Sequence, residues 1–317
     1  MRIAVTGANG FVGRELGRQL CANGHDVLEI VRSVGEVRSC ATEYHVADDN
    51  FLSLAHGIPE IGQCDAFVHL AARVHVMRDH SADSLALYRA ANVEGTLNAA
   101  AAALRAGARR MLFVSSIKAL GEVEPGRPWR EDDVPSPVDP YGISKLEAEK
   151  ALIAFGCKNS IEIIIVRPPL VYGPDVRANF RSLMHAISRG VPLPLGRIDA
   201  RRSMVFVGNL ADAIRVLVTR TAPTGGIFHV SDCDDLSVTG MAQVIARALH
   251  KKLRLIPVPV FLLQLLGRVT GRKAQVDRLT GSLRLDVTRL HGELGWTPPW
   301  TVSEGIEATV RAYETSR

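Results

Sequence analysis

The stretch that decides the fold is "VTGANGFVGREL", Val5–Leu16. The apolar run Ile3–Val5 leads into it and an amphipathic segment follows. Gly7, Gly10 and Gly13 stand in a G-x-x-G-x-x-G spacing. Between a strand and a helix, the first glycine permits a tight turn. The second lets the backbone approach a pyrophosphate, and the third lets the helix pack close to the strand. The helix N-terminus then presents free N–H groups and a positive dipole end to an anion. The spacing predicts a dinucleotide site at the opening of a parallel sheet.

Outward from this turn, β-rich runs alternate with helical ones. Strands are expected at Ile3–Thr6, Val27–Val31, Ala66–His69, Met111–Ser115 and Ile161–Arg167. Helices are expected at Gly10–Asn23, Ser84–Ala106 and Ser144–Phe155. Such alternation means βαβ units and a sheet covered on both faces. "IEIIIVR" is nearly all apolar, as a strand buried on both sides must be. From Pro168 the texture turns rich in Pro and Gly, with helical pieces at Phe180–Arg189, Leu210–Arg220 and Thr239–Leu249. The expected fold is α/β: a Rossmann-type doubly wound parallel sheet with a smaller, irregular C-terminal lobe. Residues 1–167 form the dinucleotide-binding domain, with 205–230 returning to it. Residues 168–204 and 231–317 form the substrate lobe.

Composition narrows the function classes. The 317 residues are 47% hydrophobic and 22% charged, typical of a folded chain with a sizeable core. No run of ~18 apolar residues exists, so no membrane partner is expected. "VPVFLLQLLG" (Val258–Gly267) is shorter, carries a proline, and reads as the start of a buried helix. The N-terminus lacks signal-peptide architecture, and a cytoplasmic location is expected. Five cysteines are scattered singly, which reads as reduced thiols, and no metal is expected. A net charge of +5 without a compact basic tract argues for an anionic small molecule over nucleic acid.

"PYGISKLEAEK" sets Tyr141 and Lys145 four residues apart on one helix face. An ammonium beside a phenol stabilises phenolate, so Tyr141 is expected to titrate low and to serve as acid and base. "FVSSIKALG" ends a predicted strand and puts Ser115 and Ser116 at the carboxyl edge of the sheet, where ligands bind in such folds.

With these residues in order, the chain resembles the extended short-chain dehydrogenase/reductases of the NAD-dependent epimerase/dehydratase type. "TGANGFVG", "HLAA", "NVEGT", "VSSIKALG", "YGISK", "RPPLVYGP" and "LGWTPPW" carry the resemblance over nearly the whole length. It implies Ser116, in preference to Ser115, as the catalytic hydroxyl, Tyr141 as acid/base, and Lys145 as the residue that holds the nicotinamide ribose. The same resemblance puts Gly7, Asn9, Gly10, Phe11, Val12, Gly13, Asp48, Leu70, Ala71, Ala72, Arg73, Asn92 and Pro168 at the cofactor. Toward a nucleotide diphosphate-linked hexose, most simply a UDP-sugar, it implies Asn179, Leu193, Arg202 and, as a second arginine, Arg278. Arginine suits a diphosphate because its fork binds two oxygens.

Departures from the family pattern bear on the reaction. Ile117 and Lys118 occupy the positions where 4,6-dehydratases carry an Asp-Glu pair, and they cannot do that acid/base work. Leu170 stands where 4-epimerases often have asparagine. At the end of the second strand, Val31 takes the place of the acid that binds the adenine ribose, and Arg32 follows it, with Glu29 inside the strand. Arginine there accepts a 2′-phosphate. The expectation is therefore NADP(H), with NAD(H) as the alternative, and reduction of a 4-keto nucleotide sugar, with 4-epimerisation as the alternative. The resemblance reaches O-antigen nucleotide-sugar enzymes. A lipophilic ketone reductase would need no Asn179 or Arg202. A non-catalytic NAD(P) sensor would have shed the Tyr/Lys pair. Helices at Ser84–Ala106 and Ser144–Phe155 resemble those of a four-helix homodimer interface.

Overall fold

The structure is a computed structural model, and it describes residues 1–32, 41–48, 50–56, 62–74, 83–271 and 273–316. The chain divides into two compact units. The first comprises Met1–Gly121, Glu131–Pro168 and Leu210–Val230. The second comprises Glu122–Arg130, Pro169–Asn209 and Ser231–Arg317.

The first unit is built on β1 (Arg2–Thr6), α1 (Phe11–Ala22), β2 (Asp26–Val31), β3 (Ala41–His45), α2 (Leu52–Ala55) and β4 (Ala66–His69). It continues with α3 (Ser84–Arg89), a π-turn (Ala90–Glu94), α4 (Gly95–Arg105), β5 (Arg110–Val114), a 3₁₀ turn (Ile117–Ala119), α5 (Pro140–Asn159) and β6 (Glu162–Arg167). The sheet order is β10-β6-β5-β4-β1-β2-β3, where β10 (Gly226–His229) pairs with β6. Each pairing is parallel. This is the Rossmann-type doubly wound sheet the sequence predicts. Its central strands are apolar on both faces, with Ile3, Ala4, Val5, Phe67, Val68, Met111 and Leu112 fully buried, as helices on either side require.

Two local details differ from expectation. The predicted helix Ser84–Ala106 is interrupted by the π-turn at Ala90–Glu94. Strand β3 went unpredicted: its residues Ala41–His45 are half-buried or exposed, because it is the edge of the sheet and lacks the continuous apolar run of an inner strand. Cys21 is disulfide-bonded, which corrects the expectation of reduced thiols throughout; Cys64, Cys157 and Cys233 are free.

The second unit holds β7 (Leu170–Tyr172) paired with β9 (Met204–Phe206), and β8 (Arg201–Arg202) paired with β11 (Leu236–Ser237). Its helices are α6 (Ala178–Ser188), α8 (Val238–Ala248), α9 (Val260–Val269), α10 (Lys273–Thr280), α11 (Thr288–Leu294) and α12 (Val302–Thr315), while α7 (Val207–Thr219) runs from this unit into the first. One buried hub is Asp232. Its carboxylate accepts from Tyr172 Oη at 2.8 Å, Asn209 Nδ2 at 2.7 Å and the Phe206 amide at 2.9 Å. Satisfying a buried carboxylate this fully ties β9, α7 and β7 together.

Candidate active site

The glycine turn is shaped for close approach. Gly7 has φ +69°, and a Cβ there would sit 2.9 Å from Ala71 N. A Cβ on Gly13 would sit 2.3 Å from Gly7 O, so only glycine lets α1 start this near the turn. Gly10 is the N-cap of α1, and no side chain caps that end. The first-turn N–H groups are thus left to an anion. Asn9, Phe11, Val12, Leu70, Ala71 and Ala72 lie at this turn and at the end of β4, all half-buried. The residues present fit a dinucleotide.

Flanking residues are held from behind. His69 is fully buried, bonded through Nδ1 to Thr6 Oγ1 at 2.7 Å and stacked on Phe113. Burial, with the Lys145 ammonium adding to it, pushes His69 down to about 3, so it is neutral. Asn92, in the π-turn, accepts from Arg73 N at 2.8 Å and donates to Arg73 O at 3.2 Å and Ser144 Oγ at 2.9 Å. Its amide is used to brace the loop after β4 against α5. Arg73 lies over the Tyr88 ring at 5.6 Å. Asp48 accepts from Ser53 N at 3.1 Å and from the Ser53 hydroxyl. Burial raises its pKa, but these hydrogen bonds outweigh it and hold the carboxyl below its ordinary value. Arg32 is exposed on a bend after β2, Val31 is 2% exposed, and Glu29 is buried in the strand.

The serine, tyrosine and lysine come together at the carboxyl end of β5. Asp139 caps α5, accepting from Gly142 N at 2.7 Å, and Pro140 opens the first turn. Tyr141, Lys145 and Glu149 then follow at four-residue intervals along one face. Ser116 caps the 3₁₀ turn, its Oγ accepting from Lys118 N at 3.2 Å, and its side chain is hydrogen-bonded to Tyr141. Ser115 points elsewhere: its hydroxyl donates to Glu149 Oε1 at 2.5 Å. Pro168 is buried, its carbonyl accepting from Ile117 N at 3.0 Å.

The Tyr141 phenol titrates against expectation. Burial pushes it up to about 12; the Ser116 hydrogen bond pulls it down less than burial raises it, and Asp139 and Tyr88 push it further up. Lys145 does not reverse this. Its Nζ donates to Val114 O at 2.9 Å and lies 4.4 Å from the Phe113 ring centroid. Burial lowers Lys145 to about 7, against the opposing pull of Glu149. Tyr141 is thus held as a neutral donor.

Sequence reasoning missed the layer beneath. Glu149 and Arg167 are 1% and 2% exposed. Arg167 donates Nη2 to Glu149 Oε2 at 2.6 Å and Nε to Oε1 at 3.0 Å, and its Nη1 donates to Glu131 O at 3.2 Å. Lys118 pairs with Asp139, and Ile117 is buried, so neither supplies the carboxylate work of a dehydratase.

In the second unit, Asn179 is exposed in the first turn of α6. Leu193 is half-buried, its amide donating to Arg254 O at 2.8 Å. Arg202 and Arg278 are brought together. Arg202 Nη2 donates to the Arg278 carbonyl and to Gly281 O at 3.1 Å. Arg278 forms a two-pronged pair with Glu122, at 2.8 and 3.0 Å. Burial lowers the Arg202 pKa, Glu122 raises it, and Arg278 lowers it.

The model of the NAD dependent epimerase/dehydratase family matches residues 3–231. The chain belongs to that family. A UDP-glucose 4-epimerase of Vibrio cholerae is 39% identical over 98% of this chain and 95% of its own length. An N-acetyl-alpha-D-glucosaminyl-diphospho-ditrans,octacis-undecaprenol 4-epimerase of Escherichia coli O157:H7 is 26% identical over 90% of this chain and 95% of its own. The crystal structure of the Thermus thermophilus UDP-glucose 4-epimerase in complex with NAD superposes with a TM-score of 0.80 over 100% of both chains, at 24% identity. This family member is therefore an enzyme of the nucleotide-sugar group. The match names NAD, and the preference for NADP(H) read from Arg32 finds no support in it.

Proposed function

We propose that this enzyme is an NAD-dependent 4-epimerase of a UDP-linked hexose. The observation that carries the reading is the 39% identity, spanning nearly both chains, to the Vibrio cholerae UDP-glucose 4-epimerase. This replaces the 4-keto reductase expected from the sequence. The glycine turn and α1 would hold the pyrophosphate, and Lys145 the nicotinamide ribose. NAD supplies reversible hydride acceptance at C4. Tyr141 would take the proton of the C4 hydroxyl and return it to the C4 oxygen once the keto sugar has turned over and hydride has re-entered C4 on the opposite face, and Ser116 would orient that oxygen. Taking the proton requires the phenolate form of Tyr141, which burial disfavours by pushing the phenol up to about 12, so the deprotonation is the demanding half of the cycle. Asn179, Arg202 and Arg278 are proposed for the diphosphate, and Leu193 for the nucleotide base. A homodimer through the α3–α5 region and a cytoplasmic location are retained as proposals.

The test is interconversion of UDP-glucose and UDP-galactose, and of their N-acetyl counterparts, by purified enzyme. Turnover without net cofactor consumption is expected. Stoichiometric oxidation of NADH or NADPH by a 4-keto sugar, with no interconversion, restores the reductase. Arg32 at the end of β2, and Leu170 where 4-epimerases often have asparagine, favour that second reading.

A further inference from the structure

Helix α9 carries a feature that neither the fold nor the proposed reaction uses. Phe261, Leu262, Leu265, Leu266 and Val269 are 65%, 43%, 56%, 60% and 78% exposed. At about 100° per residue these positions share one arc of about 140°. The opposite side is satisfied: Leu263 and Gly267 are buried, Leu263 in a core with Leu195, Ile198 and Val238. Ile256, 47% exposed, adds a further apolar side chain just before the helix. The expectation that "VPVFLLQLLG" starts a buried helix is therefore corrected: the helix is there, but only one side of it is buried. One side of the helix is in the core, and the other forms an apolar stripe on the surface. Isolated exposed leucines need no explanation, but a contiguous stripe on one helix face does.

The charge around the stripe is one-sided. Residues 236–276 contain no Asp or Glu and seven cations: Arg247, Lys251, Lys252, Arg254, Arg268, Arg272 and Lys273. That exceeds the net charge of the whole chain, +5. Lys251, Lys252, Arg254, Arg268 and Lys273 are exposed. An apolar helical face flanked by cations is the composition of a helix that lies in a bilayer interface.

We propose that α9 and its basic flanks dock this protein on the surface of an anionic lipid membrane. The helix is ten residues long, so it lies along the interface. No helix among the described residues is long and apolar enough to cross a membrane. The expected absence of a membrane partner rested on spanning alone, which docking does not require. A second copy of the chain fits less well, because a two-fold contact sets the same cations against each other. A purely polyanionic partner leaves the apolar stripe uncovered. The proposal does not depend on the reaction assigned above.

The test is flotation of the full chain with phosphatidylcholine vesicles, with and without phosphatidylglycerol. Wild type is expected to float with the anionic vesicles and not with the neutral ones, and to be released at high salt. Phe261→Ser/Leu265→Ser/Leu266→Ser is expected to weaken binding about tenfold or more while its circular dichroism is unchanged. If that variant fails to fold, Arg268→Glu/Lys273→Glu gives the same reading through charge. No flotation of wild type, or equal flotation of the variants, overturns the proposal. So does a wild-type oligomer that the triple serine variant dissociates without vesicle binding, which assigns the stripe to a second copy.

Discussion

The floor of the candidate active site and the outer face of α9 break the same rule in opposite senses. Lys145, Glu149, Arg167 and His69 are polar or charged, yet none exceeds 2% exposure. Phe261 and Val269 are apolar, yet 65% and 78% exposed. Folding favours neither arrangement: a buried ion loses several kcal/mol of hydration, about 3–5 kcal/mol of which reappears when its partner is removed, and an exposed apolar side chain forgoes about 1.5–3 kcal/mol of burial. The inner exception is resolved within its unit. Glu149 neutralises Arg167, and Lys145 rests on the Val114 carbonyl and the Phe113 ring. The outer exception points beyond the chain. Where burial runs against residue type, the residue answers to chemistry other than the core's.

The largest expected effect tests the inner region at its catalytic tip. Tyr141→Phe removes the proton donor and leaves the ring. Turnover should fall about 10³-fold or more, while NAD affinity by isothermal calorimetry stays unchanged. Residual turnover near wild type means that Tyr141 is not the acid/base.

Next comes the buried pair beneath it. Glu149→Gln keeps the shape but leaves Arg167 buried without a counter-charge. Stability in urea should fall by about 3 kcal/mol. Glu149 also raises the Lys145 pKa against the depression that burial causes. His69 on β4, Tyr141 on α5 and Arg167 on β6 are the other titratable groups around it, and none of them offsets the loss of the carboxylate. The alkaline limb of the activity profile should therefore move to lower pH. An unmoved limb assigns Glu149 to stability alone.

How much of this was legible depended on range. Gly7, Gly10 and Gly13, and Tyr141 with Lys145, are fixed by chemistry that demands residue types at short, set spacings, so the sequence displays them. Glu149 sits four residues past Lys145 in plain view, but its partner Arg167 is 18 residues further on in another element, and such pairing leaves no local pattern. The direction of the Tyr141 shift was misjudged for a related reason. Proximity of a lysine is readable, whereas burial arises from elements that meet only in the fold. In α9, apolar residues on every side hide which face the core takes. Edge strand β3 lacks the apolar run that marks its inner neighbours.

Lys145→Met inverts the usual sign of a mutation. Lys145 titrates at about 7 in the folded chain against 10.5 ordinarily. The unfolded chain therefore holds the proton more tightly, and the penalty of burying Lys145 is full below pH 7 and fades as pH rises toward 10.5. The methionine variant should lose activity but gain about 1–2 kcal/mol of stability in acid, with the two thermal transitions converging as pH rises. A variant less stable than wild type in acid shows that the Val114 and Phe113 contacts more than repay the burial.

The smallest expected effect falls on Arg32, which belongs to neither exception: it is a cation exposed on a bend. An exposed guanidinium at the end of β2 gives an NAD enzyme little, because that cofactor carries no phosphate on the 2′ oxygen. Arg32→Ala should leave turnover of the nucleotide sugar within about twofold, in line with surface substitutions elsewhere. An enzyme that reads a 2′-phosphate through this fork responds differently, losing affinity for NADPH about tenfold or more with the charge-assisted hydrogen bonds. Titrating both cofactors against wild type and Arg32→Ala separates the two. A loss confined to NADPH returns Arg32 to the cofactor site and, with it, the reductase; indifference to both leaves Arg32 as surface charge and the epimerase as the reading.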